Sequence, residues 1–328
     1  MNGNKPFLLQ PVYKEYLWGG VRLKDDYGKK TEKNILAESW ECSTHTDGQS
    51  IVGNGEFEGL RLGDVLKRHP EYVGTHPETK GLSPILVKLI DAKKDLSVQV
   101  HPDDEYARIH ENGQLGKTEM WYVLHAEKGA KLVYGFKRDV EKTELKKALQ
   151  TGKIDKYLQY VTVQKDDVFL IEAGIVHAIG EGIVIAEIQE SSNITYRLYD
   201  YDRIDKDGKK RELHIEKALD VARLSSSIEP RQPMRILNYR NGYGLELLGR
   251  CKYFQVERLL LNTERYKNMA DFRTGSNSFN VLLCIDGCGV LFGKEVMIPF
   301  FKGDCIFVPA DSVPLKLHGR AQMLSIGC

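Results

Sequence analysis

Asp167-Val168-Phe169-Leu170-Ile171-Glu172-Ala173-Gly174-Ile175-Val176-His177 aligns without gaps on Asp304-Cys305-Ile306-Phe307-Val308-Pro309-Ala310-Asp311-Ser312-Val313-Pro314. Each copy runs from an acid through four apolar residues into a turn, so each reads as one strand and its exit. A strand-and-turn unit used twice, in a chain of many short strands, points to two double-stranded β-barrel modules of the jelly-roll type. The copies differ at the last position, His177 against Pro314. Only the first module is therefore expected to keep a metal site.

Around this repeat the pattern is mainly β. Alternation of apolar and polar residues is clear over Leu96 to His101, Met120 to Leu124, Lys131 to Gly135 and Ile183 to Gln189. Two stretches read as helices. Thr143 to Gln150 has Leu145, Ala148 and Leu149 on one face behind a Thr able to cap, and Glu216 to Leu224 repeats the pattern with Ala218, Leu219, Ala222 and Leu224. A third short helix should begin at Asp103-Asp104-Glu105-Tyr106-Ala107, just after Pro102. Ser225 to Pro233, small and polar with two prolines, marks the expected boundary between a catalytic domain over 1–230, with a helical insertion near 141–160, and a C-terminal β domain over 231–328 without a metal site.

Residues two apart on a strand share a face, so Ser97, Gln99 and His101 point one way while Val98 and Val100 point the other. Lys117, Glu119 and Trp121 form a second such face, and His177 follows an Ala-Gly turn. An amide oxygen, a carboxylate and two imidazoles, from Gln99, Glu119, His101 and His177, suit a borderline divalent ion such as zinc with one position left open.

Composition narrows the function classes. Lys plus Arg number 47 and Asp plus Glu 46, a formal charge of +1 over 328 residues, so no global field exists to hold nucleic acid. No apolar run approaches the roughly 20 residues of a membrane span, and Met1 to Lys5 lacks the apolar segment of a secretory signal. A soluble, cytoplasmic protein is expected. The cysteines at 42, 251, 284, 288, 305 and 328 contain no Cys-x-x-Cys pair, which argues against a zinc cluster or disulfide scaffold and for reduced, mostly buried thiols. Lys206 to Arg211 reads as a solvated hairpin turn around Asp207-Gly208, and His45, His69, His76, His110, His125, His214 and His318 lack partners at ligand spacing.

The segments Lys88-Leu89-Ile90-Asp91-Ala92, Leu96 to Asp104, Gly116-Lys117-Thr118-Glu119-Met120-Trp121, His177-Ala178-Ile179 and Thr195 to Arg203, with the opening Leu17-Trp18-Gly19-Gly20 and Glu38-Ser39-Trp40-Glu41, closely resemble the type I mannose-6-phosphate isomerases, in particular their short bacterial form. The resemblance spans nearly the whole chain. It implies two cupin barrels and a zinc-dependent aldose–ketose isomerase interconverting mannose 6-phosphate and fructose 6-phosphate, with one zinc per chain. By the same resemblance Gln99, His101, Glu119 and His177 are the metal ligands, Arg197 the catalytic arginine, Lys117 the lysine beside the metal-binding glutamate and Glu187 an active-site acid. Ser97 and Lys88 correspond to positions associated with the phosphate. One position departs from the family pattern: Glu172 stands where the family usually has Pro before the Ala-Gly turn. The expected partner is a small sugar phosphate, with no nucleic acid or membrane partner and a monomer or weak homodimer as the working unit.

Moving a carbonyl between C1 and C2 requires proton transfer through an enediolate whose charge must be stabilised. Arg197 cannot deprotonate and suits that stabilising role. Glu187 or a zinc-bound water could act as the base, with Lys117 as proton donor. The competing structural role for Arg197 is an ion pair with Asp200 or Asp202. Tyr196, Tyr199 and Tyr201 could line the pocket or pack the barrel, whereas Trp121, on the face of Glu119, is a better pocket candidate. Two rival classes remain: another cupin enzyme such as an iron oxygenase, which would not need Lys117, Glu187 and Arg197 together, and a non-catalytic sugar-binding cupin.

Overall fold

The computed structural model describes residues 4–76, 78, 83–204, 208–228, 230, 232, 234–265 and 268–328. The chain is mainly β, built on three antiparallel sheets with five short helices among the described residues. A five-stranded sheet runs in the order Tyr196–Tyr199, Val98–Val100, His177–Ala178, Lys131–Phe136, Leu158–Thr162. It faces a six-stranded sheet ordered Val168–Ile171, Glu119–Ala126, Ile183–Glu190, Ile85–Ala92, Glu38–Cys42, Val12–Lys14. Together they make the first barrel.

Side-chain alternation divides its layers. Val98, Val100 and Ala178 point out of the five-stranded sheet onto Leu145, Leu149, Ala218 and Leu219 of two helices. Ile90, Trp121, Val123 and Ile185 of the six-stranded sheet point inward, against Leu132 and Val161 of the five-stranded one. The outer face of the six-stranded sheet, with Val87, Leu89, Met120, Tyr122 and Ile188, packs on Phe279, Val281, Phe307 and Ile326 of the C-terminal module. That module is a ten-stranded sheet curled around a second core of Leu259, Leu282, Cys284, Leu291, Ile306 and Leu317. The strand Phe7–Gln10 pairs with Cys305–Val308 and with Ile51–Val52, so this sheet takes strands from both ends of the chain.

The internal repeat is visible in the backbone bonding. The carboxylates of Asp167 and Asp304 accept from the backbone N–H three residues earlier, Gln164 at 2.9 Å and Phe301 at 2.8 Å. Their carbonyls accept from Val123 and Cys284, each at 2.9 Å. The residues just before them are left-handed, Asp166 at φ 75° and Gly303 at φ 99°, and so are the aligned turn residues Gly174 at 87° and Asp311 at 50°. Glycine is required at 303, where a Cβ would lie 2.1 Å from the Tyr27 carbonyl oxygen.

Helix limits follow the sequence with two corrections. The first helix spans Lys142–Gln150 with Leu145, Ala148 and Leu149 buried, but its N-cap is Glu141 and carries no side-chain cap bond, so Thr143 lies inside the first turn. The second spans Ile215–Val221; Ala222 is already extended, and the helix stops short of Leu224. Asp104–His110 is helical as expected, with the Asp103 carboxylate accepting from the Tyr106 N–H at 2.9 Å. In the boundary segment, residues 229, 231 and 233 lie outside the described residues, while the Gln232 amide accepts from the Val168 N–H at 2.6 Å. The turn expected at Asp207-Gly208 lies partly outside the described residues, with Ile204 and Lys210 bridged antiparallel on either side. All six cysteines are free, and Cys42, Cys284 and Cys305 are buried.

Candidate active site and metal centre

Strand pairing assembles the site. His177 lies opposite Gln99, and Arg197 lies opposite Gln99 from the other side, so residues of three separate strands meet side by side. On the facing sheet Glu187 lies between Lys88 and Trp121, and Lys88 lies opposite Trp40. Parity then turns all of these side chains into the barrel.

His101, Glu119 and His177 are buried, with 1%, 0% and 0% of their surface exposed, and among the described residues they form a group able to hold a cation. His101 Nε2 and His177 Nε2 lie 3.1 Å apart, and they stand 3.6 and 3.4 Å from the two Glu119 oxygens. Each imidazole turns its Nδ1 toward a backbone carbonyl at 2.8 Å, His101 toward Ile194 and His177 toward Ile175. Those carbonyls take the Nδ1–H and so assign the lone pair to Nε2, as metal-binding histidines require. Two lone pairs and Glu119 Oε1, which no hydrogen-bond donor reaches, then converge in a buried space, an arrangement that a cation would satisfy; the other oxygen, Oε2, is held by Lys117. Burial lowers the proton affinity of both imidazoles, that of His177 to about 4, which keeps them neutral. The Gln99 side-chain amide adjoins this group with its nitrogen 3.4 Å from His177 Nε2 and its oxygen toward Ser97, and a flip of the amide presents the oxygen to the histidines. The donor set therefore fits a divalent ion.

Around it the charges alternate in sign. Glu38 is 3.9 Å from Lys88, Lys88 3.2 Å from Glu187, Glu187 3.7 Å from Lys117, and Lys117 2.9 Å from Glu119. The Trp121 indole N–H donates to Glu187 at 3.0 Å, and its ring meets His177 edge-on. Burial and Glu187 push the Glu119 carboxyl up, whereas for Glu187 the opposing pull of Lys117 and Lys88 outweighs burial and keeps it ionised. Lys88 likewise stays an ammonium, because Glu38 and Glu187 outweigh its desolvation.

Arg197 takes neither of the ion pairs offered by its neighbours in sequence. Its Nε donates to Ser97 Oγ at 3.3 Å and its Nη1 to the Glu212 carbonyl at 2.8 Å, while Asp200 is occupied by Arg203 and Arg211. Ser97 is buried at the same wall, its hydroxyl 3.4 Å from Gln99 Oε1. Tyr196 instead packs outward among the helices, bonded to Glu111. Glu172, the departure from the family pattern, is an exposed residue paired with Arg223 at 2.6 Å, and the Gly174 turn beyond it still delivers His177.

Residues 7–151 match the family description "Phosphomannose isomerase type I, catalytic domain", and residues 246–326 match "Mannose-6-phosphate isomerase, cupin domain". The chain is 38% identical over 320 residues to the mannose-6-phosphate isomerase ManA of Bacillus subtilis (strain 168), with 98% of each chain covered. It belongs to the type I phosphomannose isomerase family. A mannose-6-phosphate isomerase of Streptococcus mutans is 42% identical over 217 residues, covering 66% of this chain and 67% of that relative. The crystal structure of the mannose 6-phosphate isomerase from Bacillus subtilis superimposes with a TM-score of 0.89 at 32% identity, over 98% of this chain and 99% of that one.

The family's catalytic-domain match ends at residue 151, before His177, Glu187 and Arg197. Strand pairing brings these three residues to the site. Sequence reasoning gave no role to Glu38, Trp40 or His214. Glu38 accepts from the Trp40 indole at 2.7 Å and faces Lys88, and strand parity with Trp40 was a signal that could have found it. His214 accepts from the Arg197 N–H at 3.2 Å from a separate loop, and no local signal foretold that contact.

Proposed function

We propose that the chain interconverts mannose 6-phosphate and fructose 6-phosphate at this site, with zinc held by His101, Glu119, His177 and the Gln99 amide oxygen. The convergence of two neutral imidazoles on a buried carboxylate whose Oε1 no hydrogen-bond donor reaches carries the reading. Bound there, zinc would polarise sugar oxygens as a Lewis acid.

The remaining roles fall to the chain's own side chains. Arg197, steadied by Ser97 and the Glu212 carbonyl, presents a permanent positive charge to the enediolate oxygens. Glu187, buried between the Lys88 and Lys117 ammoniums, accepts a proton, while Lys117, beside both Glu187 and Glu119, returns one and is recharged by Glu187. Because two ammoniums stabilise it, Glu187 is a modest base, and the oriented donor matters correspondingly more. Lys88 and Ser97 hold the phosphate. Isomerisation of mannose 6-phosphate by chelator-stripped protein, before and after zinc is restored, tests the reading: activity should vanish and return. A folded, zinc-loaded protein without turnover would favour a sugar-binding cupin instead.

A further inference from the structure

Lys117 and Glu119 leave a short segment that is held from outside the metal cluster. The Gly116 N–H donates to Asp104 Oδ1 at 3.0 Å, the Lys117 N–H to the Pro102 carbonyl at 3.0 Å, and the Thr118 N–H to Glu190 Oε1 at 2.7 Å. Ser192 Oγ donates to the Leu115 carbonyl at 2.9 Å. The approach is so close that a Cβ on Gly116 would lie 2.5 Å from the Asp104 backbone nitrogen. Glu190 is 1% exposed and faces Asp104. Its second oxygen, Oε2, is buried without a partner. Two carboxyl groups facing one another, with Glu190 buried and Asp104 partly exposed, are satisfied when one proton lies between them. Asp104 Oδ2 in turn accepts from the Tyr253 hydroxyl at 2.7 Å, and Lys252 stands 3.8 Å away. Tyr253 belongs to the C-terminal half of the chain, so its bond carries that half to the segment bearing Lys117.

We propose that Asp104, Glu190 and Tyr253 form a latch that fixes the Gly116–Thr118 backbone and thereby aims Lys117 and Glu119 into the site. All three are positioning residues, and the inference rests on the isomerase reading above. Glutamine at 190 can accept from the Thr118 N–H and donate to Asp104, reproducing the protonated acid, whereas alanine does neither.

The test compares the zinc-loaded full-length wild type with Glu190→Ala, Glu190→Gln and Tyr253→Phe. Glu190→Ala should lower kcat roughly 10-fold with KM within about 2-fold, and Tyr253→Phe should lower kcat about 3-fold. Amide hydrogen exchange over 114–121 should quicken in both, and Glu190→Gln should restore both readouts. Unchanged kcat and exchange in Glu190→Ala, or a Glu190→Gln protein as impaired as Glu190→Ala, would overturn the latch. If Glu190→Ala does not fold, the Tyr253→Phe pair of readouts decides alone. A wild type that fails to isomerise mannose 6-phosphate would sink the function reading instead, and the exchange data would still judge the latch.

Discussion

The two copies of the strand-and-turn unit close with the same hydrogen bonds and the same left-handed residues, yet their barrels differ inside. In the first, the turn at Gly174 delivers His177 to Gln99 and Glu119, within a cluster of alternating charges. In the second, the turn at Asp311 leads to Pro314, which is exposed just ahead of the strand Leu315–Gly327, and the core beyond is filled by Leu282, Cys284, Leu291 and Leu317. Backbone chemistry set by an Asp and a positive φ is therefore separable from what the barrel holds. Function depends on a few inward positions that the backbone leaves free to vary.

The largest effect expected from breaking this contrast is His177→Ala, which removes one imidazole and leaves the turn intact. Bound zinc, measured on purified protein, and turnover should each fall by at least about 100-fold, with the fold retained by circular dichroism. Retained metal would mean that the first barrel differs from the second in less than its histidine. Arg197→Ala should lower kcat roughly 100- to 1000-fold while sugar phosphate still binds, since the guanidinium serves charge that develops during reaction. The converse graft, Pro314→His, should leave metal stoichiometry unchanged, because position 314 is exposed ahead of the strand Leu315–Gly327 and does not enter the core of Leu282, Cys284 and Leu291. A second equivalent of zinc would break the comparison.

The smallest effect concerns the join between the barrels. Burial, then Asp104, raises the Glu190 carboxyl to about 8. A folded-state value above the unfolded one means that the contribution of Glu190 to stability is complete below about pH 4.5 and is lost as pH rises toward 8. Glu190→Gln lacks that dependence, so its melting temperature relative to wild type should climb between pH 5 and 8 by on the order of a few degrees. A constant difference across that range would remove the shared proton.

Much of the site was legible because its residues lie on strands or in the extended chain at their ends. Ser97, Gln99 and His101 are two apart, as are Lys117, Glu119 and Trp121, and a period of two fixes which side chains share a face whatever lies across from them. The sequence by itself also determined the repeat, since an Asp that closes a turn and a residue that tolerates positive φ act within a few positions. It placed the Lys142–Gln150 helix nearly to the residue, but not its cap, which is Glu141 without a side-chain cap bond and not Thr143.

Tertiary structure decided the rest. The pairing of Phe7–Gln10 with Cys305–Val308 has no local signal, because any apolar strand can complete an edge and the choice is made by the surface it covers. The partners of Arg197 were settled in the same way. Asp200 was near in sequence but already held by Arg203 and Arg211, which left the guanidinium to Ser97 and Glu212. Charge alternation from Glu38 to Glu119 arises only when four strands are laid side by side, because the sign of a neighbour across a sheet is a property of register and not of any one strand.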